Sequence, residues 1–586
     1  MMAREYVSLY RQTLAERQRL YDAAIAAQEY TPFLYPWDML PATYLLLAIM
    51  ITPRLPPRLA RPIRFAIFAL ILCHSLYLNV RRRTLWFAGG YGIGLATDWG
   101  IIMSAALLVF NDPARDFRRL ETRPAKLKAD TDIVANGHAR MLKPAKVKLD
   151  TDVVANGSAR MLETPNADAS ASIDLTRRQV PGVYTSTDTK QPSFPGSEQA
   201  ASQPYNLVWQ GFPYGQGPLH LVDWTVDLTT SFRGPNWNHR ISTLGAIDAP
   251  IPPEPSANGP QNSPSKPTAV PKQSLRALQL RALQDFAVSY LLLDLLKTTM
   301  TTDAYFLGLS ALDSPTPWSW LARLNEVLPF ATRLIRLLIS MTGVITALTF
   351  IFSLSPLFFT LILPRLVDVT ILTKSPLLEP WMYAPFWYPV TTSILQSGLA
   401  GFWGKFWHQM FRFGISEPSR VLIEWLKIDK RGHVARMIQL CLAFGLSGSI
   451  HAAGSYTTFS LTPSHPFSGA LSFFFTQGAG VLLQSTVAKL LQKYVPQTKS
   501  LPRFVKQSTN LAFVLVYLYF TGPLLADDFA RCGIWLFEPV PFSILRGIGL
   551  GPGGKDEGWW TWYQEGSKWV GWYRGDRWWE SGFAIY

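Results

Sequence analysis

The chain has 586 residues, of which 48% are hydrophobic and only 16% charged, and its formal net charge is +15. Soluble domains carry about 25% charged residues, so this composition argues against an ordinary soluble protein. The basic residues border apolar runs, as at Arg81–Arg83, which is typical of membrane-helix flanks and argues against nucleic-acid binding.

The N-terminal region, residues 1–112, contains three apolar runs, at residues 33–52, 65–80 and 86–110. Runs of about 17 to 25 apolar residues are long enough to cross the hydrocarbon core of a bilayer. The first residues, Met1–Tyr6, lack the short apolar core of a cleaved signal peptide. We therefore expect N-terminal transmembrane helices, the first of which directs insertion.

The polar region at residues 113–280 is rich in Ser, Pro and Asp, and we expect it to be largely disordered, above all at 164–205 and 247–275. Residues 124–163 hold two tandem copies of one sequence. A repeat architecture needs at least about three copies to bury a core. The repeat therefore predicts no domain of its own.

One segment of this region, residues 221–241, has a different pattern. Leu221, Trp224 and Leu228 recur at helical spacing. Such spacing places the three side chains on one face of a helix. We predict a short amphipathic helix at a membrane interface.

The longest series of apolar runs lies in residues 281–530, which we interpret as the transmembrane core. The 331–364 run is long enough for two segments, with Pro356 and Pro364 as breaks. We predict an all-α polytopic integral membrane bundle of about eight to ten transmembrane helices. The Trp-rich C-terminal tail, 531–586, is too polar at its end to span and is expected at the headgroup level or as a cap on the bundle. The core runs are 283–300, 331–364, 386–402, 436–456, 466–486 and 509–526.

A first candidate site is the segment Gly401–Arg412, GFWGKFWHQMFR. At helical spacing, Gly401, Gly404, Lys405, His408 and Arg412 share one face, opposite bulky aromatic residues. That small, cationic face predicts a cavity wall. The alternative is an interfacial helix with snorkelling cations and an incidental histidine.

A second candidate is His451, in FGLSGSIHAAGSY near the end of an apolar run. Small residues three and four positions on either side, from Ser447 to Ser455, share its helix face. They allow another helix or a substrate to approach closely. Ionisable groups inside the membrane are costly and indicate function, although a hydrogen-bonded core histidine is the alternative.

Other ionisable groups are weaker candidates. Asp98 and Asp294 lie in apolar runs and either join helices or orient a catalytic group. The remaining histidines form no metal-ligand spacing, and the cysteines, Cys73, Cys441 and Cys532, form no CxxC pair. We expect no metal site and no disulfide framework.

These two histidine segments resemble the membrane-bound O-acyltransferase superfamily, in which an FWxxxWH-type segment precedes a histidine in an apolar helix. FWGKFWHQMFR and LSGSIHAAG carry the likeness, and DWGIIMSAALLVFNDPARDFRRLE, RGPNWNHRI, YLLLDLLK and PVPFSILRGIGLG resemble the fungal wax synthase-like branch. The resemblance implies transfer of an acyl group from acyl-CoA to a hydroxyl. His451 is then the general base and His408 the second catalytic residue, with no permanently bound cofactor.

The same resemblance implies cations for the phosphates of the co-substrate, and Lys405, Arg412 and Arg420 are the candidates. The favoured donor is acetyl-CoA and the favoured acceptor a hydrophobic alcohol, a terpenoid or polyketide-derived secondary metabolite. The alternative is a long-chain wax ester synthase. A membrane transporter or a non-catalytic scaffold is less favoured. We expect membrane lipids as partners and the endoplasmic reticulum as the location.

Overall fold

The computed structural model describes residues 2–124, 205–245, 247, 274–562 and 569–586. The tandem repeat and the segments expected to be disordered lie almost entirely outside these residues. The chain divides into two compact units, one formed by Met1–Glu121 with Trp209–Tyr586 and the other by Thr122–Val208. The second unit is described only at its two ends.

Helices make up most of the first unit, as expected from its long apolar runs. Tyr91–Ser104 packs along His433–Thr457, and Leu275–Met300 packs along Ala331–Leu357. The helices are α1 Met2–Ala26, α2 Leu40–Ile51, α3 Pro57–Arg81, α4 Trp86–Gly89, α5 Tyr91–Ser104, α6 Pro218–Thr230, α7 Leu275–Met300, α8 Ser319–Val327, α9 Ala331–Leu357, α10 Leu363–Leu366, α11 Val369–Leu372, α12 Ile394–Gly401, α13 Arg412–Trp425, α14 His433–Thr457, α15 Ser472–Tyr494, α16 Arg503–Thr521, α17 Pro523–Arg531 and α18 Ile544–Gly547.

Within the described chain, five helices are long and apolar enough to cross a membrane. They are Pro57–Arg81, Tyr91–Val109, Ala331–Leu366, His433–Thr457 and Pro466–Tyr494. The pair α16 and α17, bent by 43°, makes a sixth if it is counted as one span. A helical membrane protein is thus confirmed, whereas a number of eight to ten spans stays a prediction.

Two of the predicted spans differ from expectation in ways the backbone explains. Helix α2 has 12 residues, and at 1.5 Å per residue it is shorter than the hydrocarbon core. The run at 331–364 does not break into two segments. Pro356 lies inside α9, and a π-helical stretch at Phe358–Ile362 continues the helix into α10.

The fold is not purely helical. Strands β2 (Arg119–Pro124) and β3 (Tyr205–Gln210) form a two-stranded sheet. Strands β1 (Phe33–Tyr35), β5 (Gly582–Ile585) and β4 (Val570–Tyr573) form an antiparallel three-stranded sheet in that order. The all-α prediction therefore needs this correction, because the Trp-rich tail pairs with a strand near the N-terminus.

The segment from Trp209 to Gly245 is folded, although the sequence placed it in a largely disordered loop. Trp224, on the predicted amphipathic helix α6, is fully buried and packs edge-on against Trp237, with ring centroids 5.0 Å apart. Arg119, also fully buried, forms ion pairs with Asp223 and Asp227. These contacts join α6 to the main hydrophobic core.

Candidate active site

A cavity of about 770 Å³ lies between α13, α14 and the turn that follows α12. Both predicted histidines, His408 and His451, line it. Its other walls include aromatic residues, among them Trp403, Phe411 and Phe474, together with polar and charged side chains. A volume between about 300 and 1,000 Å³ is typical of pockets for small molecules.

His451 is held in place from two sides. The Tyr91 hydroxyl, from the start of α5, lies 2.7 Å from Nδ1 of His451. The Phe474 ring stacks on the imidazole, with centroids 4.7 Å apart and planes 11° apart. Because Tyr91 occupies Nδ1, Nε2 is the ring nitrogen that remains available to a molecule in the cavity.

The small residues around His451 allow helices to approach closely, as their spacing predicted. A Cβ on Gly454 would lie 2.7 Å from the Tyr91 ring, and one on Gly448 would lie 2.8 Å from the Leu471 side chain. Glycine at 454 therefore permits Tyr91 to reach the imidazole. Neighbouring protein groups, not an open channel, fill this part of the helix face.

The segment around His408 is not the continuous helix that we predicted. After α12, a π-helical turn at Phe402–Phe406 ends where Trp407 becomes extended, with φ −63° and ψ 143°. The side-chain amide of Gln409 donates to the backbone carbonyls of Trp403, at 3.0 Å, and Trp407, at 2.6 Å. These bonds satisfy carbonyls that the break in the helix leaves without partners. His408 therefore lies in a turn, and the prediction of one helix face shared by the small and cationic residues was wrong.

His408 is enclosed by aromatic rings. The ring centroids of Phe352, Trp387 and Trp407 lie 5.8, 6.0 and 5.1 Å from that of His408. Burial, with smaller contributions from the neighbouring His451 and Arg233, lowers the pKa of His408 to about 3. His408 is therefore a neutral imidazole at physiological pH, able to donate one N–H.

The predicted phosphate-binding cations have three different environments. Arg412 lines the cavity and makes no ion pair among the described residues. Arg420 also lines it, but pairs with Glu417 at 2.6 Å and with Glu424 at 3.1 Å. Lys405 is exposed and does not line the cavity.

Arg412 has only neutral hydrogen-bond partners among the described residues. Its guanidinium donates to the Gln409 side chain at 3.0 Å and to the Gly404 carbonyl at 3.3 Å, both neutral groups. Burial lowers the pKa of Arg412, because the charge is partly removed from water. An anionic group in the cavity would relieve that cost.

The two aspartates of the sequence analysis make structural bonds. Asp98 accepts a hydrogen bond from Ser449 at 2.8 Å, joining α5 to α14. Asp294 is fully buried and accepts from the Ser543 hydroxyl and the Leu545 amide. Within the described ranges, no group of three or more His, Cys, Asp or Glu side chains could hold a metal ion.

Several residues at the site were not found from the sequence. Tyr91 contacts His451 from α5, 360 residues away in sequence, and Phe474 contacts it from the following long helix, α15. Arg233 donates to the carbonyls of Ala384 and Pro385, and its guanidinium lies 4.4 Å from the centre of the Phe386 ring. Neither periodicity nor spacing relates these positions, although RGPNWNHRI marked the segment that holds Arg233.

Comparison with known families bears on this same region. The sequence model of the membrane bound O-acyl transferase family matches residues 387–476, which include both histidines and Arg412. Residues 387–476 are therefore similar to that family. The matched segment begins at the aromatic residues that enclose His408 and ends just beyond Phe474.

Similar curated proteins are named acetyltransferases. Acetyltransferase eriL of Hericium erinaceus is 33% identical over 148 residues, which are 25% of this chain and 37% of the relative. Acetyltransferase pyr8 of Aspergillus fumigatus is 27% identical over 26% of this chain and 35% of the relative. Acetyltransferase ataH of Aspergillus terreus is 30% identical over 27% and 52%. The chain thus spans about a third to a half of these relatives, and no solved structure matches it significantly.

Proposed function

We propose that this protein is a membrane-bound O-acyltransferase that moves an acyl group from acyl-CoA to a hydroxyl. The proposal is supported by the convergence on one cavity of His451, His408 and Arg412, a cation that forms no ion pair within the described part of the chain. A base, a neutral hydrogen-bond donor and a phosphate-binding cation are the groups that such a transfer needs.

His451 is the general base of the proposed reaction. Its Nε2 takes the proton of the acceptor hydroxyl while the hydroxyl oxygen attacks the thioester carbonyl carbon. The new C–O bond forms, the C–S bond breaks, and the departing CoA sulfur takes the proton back from Nε2. For Nε2 to act as a base, Nδ1 must carry the ring proton and donate it to the Tyr91 oxygen, 2.7 Å away.

His408 is the proposed electrophilic partner. Negative charge develops on the thioester oxygen during the attack, and a neutral N–H aimed at that oxygen stabilises it. The surrounding rings of Phe352, Trp387 and Trp407 exclude water and fix the imidazole. Hydrogen bonds are stronger in such a water-poor environment.

The favoured substrates are acetyl-CoA and a terpenoid or polyketide-derived alcohol. The acetyltransferase names of the relatives support the donor. The aromatic walls of the cavity, among them Trp403, Phe411 and Phe444, support an apolar acceptor. No permanently bound cofactor is part of the proposal, and the endoplasmic reticulum is its proposed location.

The product decides between the two acyl donors. Membranes containing the protein are incubated with labelled acetyl-CoA or labelled palmitoyl-CoA and a mixture of polycyclic and fatty alcohols. We expect label from acetyl-CoA in an ester in which an acetyl group has replaced the hydroxyl hydrogen of the alcohol. Labelled ester from palmitoyl-CoA alone would indicate wax ester synthesis. The absence of labelled ester with both donors would contradict acyl transfer.

The different environments of the arginines predict different effects on donor binding. Replacing Arg412 by glutamine is expected to raise KM for acyl-CoA about 10- to 100-fold, because hydrogen bonds to charged groups are worth ~1.5–3 kcal/mol. Arg420→Gln is the matched control and should raise KM less, since Glu417 and Glu424 already neutralise that charge. Initial rates at varied acyl-CoA measure both. Equal increases in KM in the two variants would show that Arg412 does not bind the acyl donor.

Tyr91 is expected to affect turnover and not binding. Replacing Tyr91 by phenylalanine keeps the ring packed on Gly454 but removes the oxygen that accepts from Nδ1. We expect kcat to fall about 3- to 10-fold with KM for both substrates unchanged, the size of one neutral hydrogen bond. A kcat equal to that of the wild type would show that Tyr91 does not select the tautomer.

A further inference from the structure

The three-stranded sheet formed by β1, β5 and β4 has two chemically different faces. Leu34 and Ala584, which pair with each other, are fully buried and form the inner face. In the next register position, Tyr35 pairs with Phe583, which pairs with Trp572. These three side chains are 58%, 46% and 71% exposed, so they form a row of aromatic rings across all three strands.

Val570 extends this row, and Trp578 lies beside the sheet against Trp37, whose indole N–H donates to the Ser581 carbonyl directly before β5. Val570 lies two residues before Trp572 on the same side of β4 and is 58% exposed. Trp578 is 70% exposed and packs edge-on against Trp37, with ring centroids 5.2 Å apart. We call Tyr35, Val570, Trp572, Trp578 and Phe583 the outer aromatic face.

The sheet is fixed at the end of a membrane span. Thr31, just before β1, donates its amide to the carbonyl of Arg81, the last residue of α3, at 2.9 Å. Thr84 donates to the carbonyl of Tyr586, directly after β5, at 2.6 Å. Asp38, just after β1, forms a buried ion pair with Arg82 at 2.8 Å.

Other spans end at the same level. The Thr457 hydroxyl, at the end of α14, donates to the carbonyl of Gly90, just before α5, at 2.9 Å. The Arg83 guanidinium lies 4.5 Å from the Tyr30 ring centre and 5.4 Å from that of Tyr456. Tyrosine and arginine at span ends are typical of the membrane–water interface.

Exposed apolar side chains follow the sheet along the chain. Met39, directly before α2, and Leu47 and Ile51 on α2 are 45%, 46% and 50% exposed. Tyr35, at the end of β1, is exposed as well. Exposed apolar residues therefore occur both on the sheet and on the helix that follows it.

We propose that the outer aromatic face seats in the headgroup–acyl boundary of the same bilayer that the spans cross. Tryptophan and tyrosine rings are amphipathic and favour that depth. Among the described tail residues 569–586, Arg574 and Arg577 are matched in number by Asp576 and Glu580. The partner is therefore the lipid interface itself, independent of headgroup charge, and this inference does not depend on the proposed acyl transfer.

Quenching of tryptophan emission by brominated lipids tests the proposal on the full chain in vesicles. The bromines are placed either near the headgroup or near the chain end of phosphatidylcholine. The double variant Trp572→Phe/Trp578→Phe removes two of the 21 tryptophans. We expect the amount of emission quenched by headgroup-proximal bromines to fall by more than this fraction. Chain-end quenching should stay unchanged, and the same loss is expected after anionic phosphatidylglycerol is added.

The matched control is Trp237→Phe, because Trp237 is only 1% exposed within the main core. It should leave the absolute amount of headgroup-proximal quenching unchanged. Phenylalanine retains an aromatic ring at each site, and gel filtration in detergent checks that each variant folds. Equal quenching in the double variant and the wild type overturns the proposal. The proposal is also overturned if the emission of these two tryptophans changes with the protein-to-lipid ratio but not with brominated lipid. That result would indicate that a second copy of the protein covers the outer aromatic face.

Discussion

Replacing His451 by alanine is expected to lower kcat for ester formation about 100- to 10,000-fold, the contribution of a well-placed general base. The variant keeps the spans intact, because the imidazole makes one side-chain hydrogen bond among the described residues, to Tyr91, and otherwise packs on Phe474. KM for acyl-CoA should change little, since Arg412 still lines the cavity. Initial rates with purified protein in vesicles measure both constants.

The control for this substitution is His74→Ala. His74 lies on the span Pro57–Arg81, packs near Tyr44 and Tyr77, and does not line the cavity. We expect its kcat to equal that of the wild type. Full activity in His451→Ala, with equal amounts of inserted protein, would show that His451 is a core histidine and would remove it from the mechanism.

Replacing His408 by alanine is expected to lower kcat about 100- to 1,000-fold, the loss seen when one donor to an oxyanion is removed. The effect should fall on kcat, because the donor acts on charge that develops only in the transition state. Neutral imidazole is the active form over the whole physiological range, since burial holds its pKa at about 3. Rates under saturating acyl-CoA measure the loss.

A conservative variant separates donation from packing at this position. His408→Asn retains a side-chain N–H and is expected to recover at least about 10-fold of the kcat lost in His408→Ala. Equal activity in the two variants would mean that the ring acts through its contacts with Phe352 and Trp387. In that case His408 positions the aromatic wall and does not touch the reacting oxygen.

The membrane character and the setting of His451 were predictable from the sequence. Long apolar runs imply helices in lipid, because backbone amides there need partners within the segment. The glycines around His451 imply close approach of neighbouring helices, and Gly454 and Gly448 do face Tyr91 and Leu471. Which groups would approach was not predictable, since Tyr91 lies 360 residues from His451 in sequence.

The setting of His408 was only partly predictable. Its aromatic and cationic neighbours indicated a cavity, and the residue does line one. The assumption of a straight helix failed, because the π-helical turn ends at Phe406 and Gln409 stabilises the non-helical turn. Nothing in the local spacing announces that break. The same limit applies to Trp224 and Trp237, whose burial depends on packing that a polar composition conceals.

Acyl transfer at the cavity shared by His451 and His408 is measured by following labelled acetyl-CoA into ester. Purified wild-type protein and His451→Ala are compared in parallel vesicles supplied with polycyclic alcohols. The proposed mechanism predicts labelled acetyl ester and stoichiometric free CoA from the wild type, and neither above background from the variant. Ester formed at equal rates by both proteins would contradict it.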